Sequence, residues 1–300
     1  MLGDVLHLWT DGEDLLAKKL QSGAFEDGVF TVAGMQRQKR LELFAKTFIG
    51  LLITFLLWQF TALALNASGA ALGFPLPVEA LQRLVEYLFT NKSLYGHSIY
   101  EHILASIKRL LCAFGLASVF GILVGSVLGY FSRIYHIGMV PVAIFQMVPG
   151  LAWLPVAILI FGLGDAASVF IIFMVTAMVI TIGVSSGIKM VPPVYVNAGK
   201  MMGAGPFTIF FKILIPHAAM SIVNALRLGM SSAWRVLISA EMVVGTGVGI
   251  GYSIELTRDL LDYVGAFACI LVICLIGLFF DRVVLAGIER YMRGRLGFDE

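Results

Sequence analysis

The chain is poor in charge. Asp, Glu, Lys and Arg make up 13% of its 300 residues, against 59% hydrophobic residues; soluble domains average about 25% and about 45–50%. That much apolar surface cannot be hidden in a water-soluble core, which excludes a free soluble enzyme. It also excludes a disordered chain, because disorder needs low hydrophobicity. Cysteine is scarce too. Cys112, Cys269 and Cys274 lie in apolar runs, lack the spacing of a zinc site or disulfide framework, and are expected to be small buried residues. A net charge of +2 gives no footprint for nucleic acid, which needs clustered basic faces. Met1-Leu2-Gly3-Asp4 lacks the basic-then-apolar order of a signal peptide. His102, His136 and His217 are too scattered to hold a metal, and no nucleophile–base or paired-carboxylate set falls at one depth. A phosphate loop is missing: Gly199-Lys200 has neither the upstream glycine nor the following hydroxyl. Energy for any transport must come from a partner or an ion gradient.

What the sequence has instead is long apolar runs. A helical span needs about 20 such residues. Six are predicted: Thr47 to Leu65, Leu110 to Phe131, Ile137 to Leu163, Ala166 to Ile188, Ile213 to Ala240 and Tyr263 to Phe280. A membrane barrel would alternate over segments of about ten residues, so an all-α polytopic membrane protein is expected. With both termini cytoplasmic, fourteen Lys and Arg residues fall inside and five, including Lys108 and Arg109, outside; the positive-inside bias selects that orientation. Residues 1–43 read as a cytoplasmic extension, with a candidate amphipathic helix at Asp11 to Leu20. Residues 44–296 read as the membrane domain and 297–300 as a tail. Pro75 and Pro77 end any helix in the outer connection after the first span, which carries an amphipathic stretch from Val78 to Phe89.

The loop after the fourth span is the most informative segment. Pro192 and Pro193 stop the preceding helix. Asn197 to Met202 has room for a helical turn or two, Gly203 suits a left-handed cap, and Pro206 suits a first helical turn. The expected helix-turn-helix projects Met201, Met202 and Phe207 into water, and exposed apolar groups of this kind mark partner surfaces. With Asn197, Ala198, Gly199, Lys200 and Ala204, these residues form the candidate coupling element.

This loop resembles the EAA motif of ABC-importer permeases: Glu-Ala-Ala, three residues, Gly, nine residues, Ile-x-Leu-Pro. Ala198, Gly203, Ile213 and Pro216 take matching places. Asn197 stands for the Glu, Gly199 for the second Ala and Ile215 for the Leu. Further segments are similar to the branch that imports nitrate, sulfonates, taurine and bicarbonate. They are Phe74-Pro75-Leu76-Pro77, the His102, Ser106, Arg109 set, Pro149 to Pro155 with Phe161 to Gly164, and Ala233-Trp234 through Glu241-Met242 to Tyr252. The resemblance implies a type I importer permease in the cell inner membrane. It further implies a second permease copy, two ATPase subunits carrying ATP-Mg and an extracytoplasmic binding protein, with no cofactor on this chain.

Candidate path residues follow from polarity inside apolar runs. Arg227 and Arg235 cost about 2.5–3.5 kcal/mol each in hydrocarbon and lie about 80° apart around a helix. They either line a path that attracts an anion or pair with carbonyls or a second copy. Glu241 either pairs with an arginine, gates the outer mouth or is solvated. Gln146, Trp153, Asn224 and Trp234 either bond between helices or touch substrate. Pro141, Pro149 and Pro155 break the third run, and broken backbone at that depth needs protein or a cavity beside it. The glycine-rich run Gly245 to Gly251 reads as a flexible outer loop or re-entrant turn. An ion-coupled secondary transporter is the rival, although acidic residues within the spans and internal repeats, its usual marks, are not evident.

Overall fold

The computed structural model describes residues 28–69, 73–90, 93–288, 290 and 294. They are helical throughout, apart from turns and one isolated bridge, Leu94 to His97. The chain divides into two units, residues 1–71 and 72–300. In the first, α1 (Gly28–Ala67) contains the apolar stretch Ala45–Ala67, long enough to cross a bilayer. The amphipathic stretch expected at Asp11 to Leu20 lies outside the described residues.

In the second unit, α2 (Pro77–Phe89) starts at a proline, whose missing amide is no loss in a first turn, and Glu79 accepts from the Leu76 amide at 3.1 Å. Its Arg83 pairs with Asp262 at 3.1 Å, and Asp262 in turn caps α11 (Tyr263–Phe279). The packed centre is α3 (Ile99–Tyr130), α6 (Asp165–Lys189) and α9 (Ile215–Val244). Small residues set their spacing. A Cβ on Gly125 of α3 would lie 2.7 Å from the Thr181 carbonyl of α6. Gly183 and Gly187 of α6 likewise rest against Ala225 and Ser221 of α9. Lipid is as apolar as leucine, so close backbone packing of this kind supplies the attraction between helices.

Several boundaries differ from expectation. The second span begins at Ile99, where Ser98 accepts from the Glu101 amide at 3.3 Å. Lys108 and Arg109 therefore lie within the helix. Arg109 is tolerated there because carboxylates neutralise it. The third run is two helices, α4 (Ser132–Met147) and α5 (Leu154–Phe161), joined by a tight turn at Gly150–Trp153 and bent by 100°. Val148 is extended (ψ 119°), as a residue before proline prefers, and Pro155 opens α5. Among the described residues five helices are each long and apolar enough to span, which makes six spans if the bent pair is one. The last continues past Phe280 through a π-helical segment, Phe280–Leu285, to Ile288. Of the cysteines only Cys269 is buried; Cys112 and Cys274 are exposed on helix faces.

Candidate coupling loop and membrane path

The loop after α6 folds from its own local chemistry. α7 (Pro193–Met201) carries its proline in the first turn. Its end is closed by two bonds: the Ala204 amide donates to the Gly199 carbonyl and the Gly203 amide to the Lys200 carbonyl, both at 3.0 Å. Gly203 has φ +78°, the left-handed geometry that this double-bonded cap requires. Pro206 then opens α8 (Pro206–Ile209), which runs through a π segment, Phe210–Leu214, into α9 with Pro216 in its first turn. Gly199 is buried, and a Cβ there would lie 2.6 Å from Ile213 Cδ1. A glycine at this position lets α7 rest directly on Ile213. Ala198 and Ala204 are half-buried beside it. On the other side Met201, Met202 and Phe207 are 84%, 87% and 80% exposed. Asn197 is exposed. It lines a cavity of about 580 Å³ with Ser132, Lys189 and Lys200, between α7 and the ends of α3 and α6.

The opposite end of α3 holds a buried polar clasp. His102, Ser106 and Arg109 fall on one face at spacings of four and three, and all are buried. Three consecutive amides at the start of α10 (Ile250–Asp259) meet this cluster. Gly249 N–H donates to His102 Nδ1 (3.0 Å), Ile250 N–H to Ser106 Oγ (2.9 Å) and Gly251 N–H to Glu241 Oε2 (3.0 Å). With Nδ1 accepting, His102 Nε2 donates to the Leu94 carbonyl at 3.1 Å. Ser106 Oγ donates to Glu241 Oε2 at 2.8 Å, and Arg109 Nη1 to Glu241 Oε1 at 2.6 Å. Arg109 Nε also donates to Asp165 Oδ1 at 2.8 Å. Glu241 is 0% and Arg109 6% exposed, whereas the Asp165 side chain is 68% exposed. A carboxylate taken wholly out of water persists only when paired and hydrogen-bonded, and here it has three donor residues. Four elements meet in this clasp: α3, α6, α9 and α10.

The glycine-rich run is therefore a fitted join. A Cβ on Gly251 would meet the Ile238 carbonyl at 2.4 Å, and one on Gly249 would meet Glu241 at 2.7 Å. Of the alternatives for Glu241, the structure realises pairing with an arginine, and that arginine is Arg109. Neither Asp165 nor the clasp as a unit is legible from residue types alone. The available signal was the spacing of His102, Ser106 and Arg109.

The other path candidates disperse. Gln146 is exposed on α4. Trp153 sits in the bend, with ring centroids 5.7 Å from Phe145 and 6.4 Å from Phe170, and its buried Nε1 has no partner among the described residues. Arg227 pairs with Asp281 at 3.1 Å. Arg235 is exposed, and its Nη2 reaches Ser232 Oγ at 3.4 Å. Trp234 and Arg235 line one cavity of about 200 Å³ between α9 and the last span.

Comparison with known proteins shows the family of the chain. Residues 117–291 match the family described as binding-protein-dependent transport system inner membrane component. A probable ABC transporter permease of Brucella melitensis biotype 1 is 32% identical over 75% of this chain and 89% of its own length. A bicarbonate transport system permease of Synechocystis sp. is 31% identical over 73% of this chain and 78% of its own. A nitrate import permease of the same organism is 27% identical over 79% and 85%. In three dimensions the chain is similar to one in an inward-facing MetNI methionine ABC transporter. The TM-score is 0.58 at 19% identity, covering 65% of this chain and 95% of that one.

Proposed function

This chain belongs to the family of binding-protein-dependent transport system inner membrane components, and from that premise we propose that it forms the path of an ATP-driven importer for a small polar or anionic solute. As an ABC transporter permease it is a multi-pass membrane protein, and it is not the catalytic subunit. The loop from Asn197 to Phe211 docks on a separate ATPase that carries ATP-Mg. A second permease copy completes the path, and an extracytoplasmic binding protein delivers the solute. The Lys and Arg bias supports a cytoplasmic placement of both termini and of this loop.

One observation carries the coupling role. α7 is fixed from within by the Gly203 cap and by Gly199 on Ile213, yet the loop that it forms with α8 presents Met201, Met202 and Phe207 almost wholly to solvent. A rigid knob that is joined through α8 to the long helix α9 passes a push from the ATPase into the spans as rigid-body motion. The relatives named for bicarbonate and nitrate support an anionic solute. The test is reconstitution with the ATPase and binding protein. Met202→Asp is expected to abolish ATP-dependent uptake while leaving the chain folded. Full uptake in that variant refutes the coupling role.

A further inference from the structure

We propose that the cavity between α9 and the last span is an oxyanion-binding site within the single permease chain, held by Arg235, Trp234 and Ser231; this rests on the anionic reading of the solute. Arg109 lies in α3 and Arg227 and Arg235 in α9, and the three differ in what neutralises them. Arg109 has Glu241 and Asp165, and Arg227 has Asp281. Among the described residues, Arg235 has only the long contact to Ser232 Oγ at 3.4 Å. It lies nine residues, about 14 Å of helix, from the end of α9 at Val244. An ionised side chain at that depth faces protein or water and marks a functional site by default.

Two neutral donors stand beside it. Trp234 is only 8% exposed, and its indole N–H has no acceptor among the described residues. The Ser231 hydroxyl has no hydrogen bond there either. Both line the cavity of about 200 Å³ with Arg235. A Cβ on Gly277 would come within 3.0 Å of Trp234 Nε1, so the glycine leaves this donor uncovered. The π segment that follows places Phe280 and Asp281 in the cavity wall, and such segments often occur at functional sites.

Charge selects the ligand. Asp281 is the one acid on the wall, and it is already engaged by Arg227 at 3.1 Å and Arg282 at 3.8 Å. Of the residues that line the cavity Arg235 is the one cation, and the one carboxylate, Asp281, is balanced by Arg227 from outside the lining. A cation is repelled, and a neutral solute leaves Arg235 unanswered. A nitrate, bicarbonate, sulfonate or carboxylate group offers the negative charge and several acceptor oxygens that a guanidinium, an indole N–H and a hydroxyl can share. Apolar walls of Met230, Phe280 and Leu285 strengthen each contact by lowering the local dielectric.

The test uses the permease–ATPase complex in nanodiscs, titrated with nitrate and with bicarbonate against chloride at constant ionic strength. Saturable thermal stabilisation is expected for the unaltered protein. Apparent affinity should fall at least tenfold in Arg235→Gln and in Gly277→Ala, and stay unchanged in Cys112→Ala, a change on an exposed helix face. Equal affinity in the unaltered protein, Arg235→Gln and Gly277→Ala overturns the proposal. So does a co-purifying phospholipid, seen by native mass spectrometry, that is lost in Arg235→Gln and not displaced by either anion. If ATP-driven uptake persists while neither variant alters affinity, the cavity assignment fails and the importer reading stands. If the unaltered chain drives uptake without ATP, the importer reading fails whatever the cavity binds.

Discussion

Removing Arg109 should be among the most damaging single changes in this chain. Its guanidinium is 6% exposed and donates at 2.6 Å to Glu241, which is 0% exposed. In Arg109→Ala the carboxylate keeps Ser106 Oγ and the Gly251 amide but loses its only counter-charge at bonding distance among the described residues. Breaking one side of such a pair costs about 3–5 kcal/mol. At about 2–4 °C per kcal/mol for a chain of this size, the apparent Tm in mild detergent should fall by about 10 °C. Asp165→Asn should cost under about 1 kcal/mol, because the Asp165 side chain is 68% exposed and solvent already screens it. If stranded charge is the cause, adding Glu241→Gln to Arg109→Ala should recover part of the loss. Equal shifts for Arg109→Ala and Asp165→Asn, or a double variant worse than Arg109→Ala alone, would refute the reasoning.

Glycine positions give sharper contrasts. Gly125→Ala should impair folding or expression strongly, since its Cβ meets the Thr181 backbone carbonyl at 2.7 Å, which cannot turn aside. Gly199→Ala should be mild by the same assay, because its Cβ meets only the flexible tip of Ile213. Gly203→Ala forces φ +78° on a residue with a Cβ, at about 1 kcal/mol, and should lower coupled ATPase activity more than it lowers Tm. Gly251→Ala should disrupt the clasp, measured as a loss of Tm comparable to that of Arg109→Ala, because the Ile238 carbonyl lies 2.4 Å from the new Cβ.

How much of this was legible depends on whether the signal is local. The local fold of the candidate coupling loop was readable nearly residue by residue. Proline at a first turn and glycine at a left-handed cap are decided within a few residues, so Gly203 and Pro206 act where expected. The spans were readable as apolar runs, but their ends were not. Hydropathy stops at Arg109, whereas the helix continues to Ile99 because its neutralising partners come from α6 and α9. The bend at Val148 and Pro149 was signalled by proline spacing; its angle of 100° was not. Arg227 and Arg235 look alike in sequence, and only the fold shows that Asp281 pairs with Arg227. For the glycine-rich run, residue types left an outer loop and a re-entrant turn both open, and the three side chains that receive the amides of Gly249, Ile250 and Gly251 come from other helices.

The central claim is that Met201 and Met202 couple this chain to a separate ATPase. The most direct measurement is a mild-detergent pull-down of the tagged chain from its own cell, with mass spectrometry, for the unaltered protein and for Met201→Asp with Met202→Asp. A subunit bearing a phosphate-loop motif should accompany the unaltered chain and be lost from the variant, whose Tm stays the same. Recovery of the chain alone, with uptake in liposomes driven by an ion gradient and indifferent to ATP, would contradict the account.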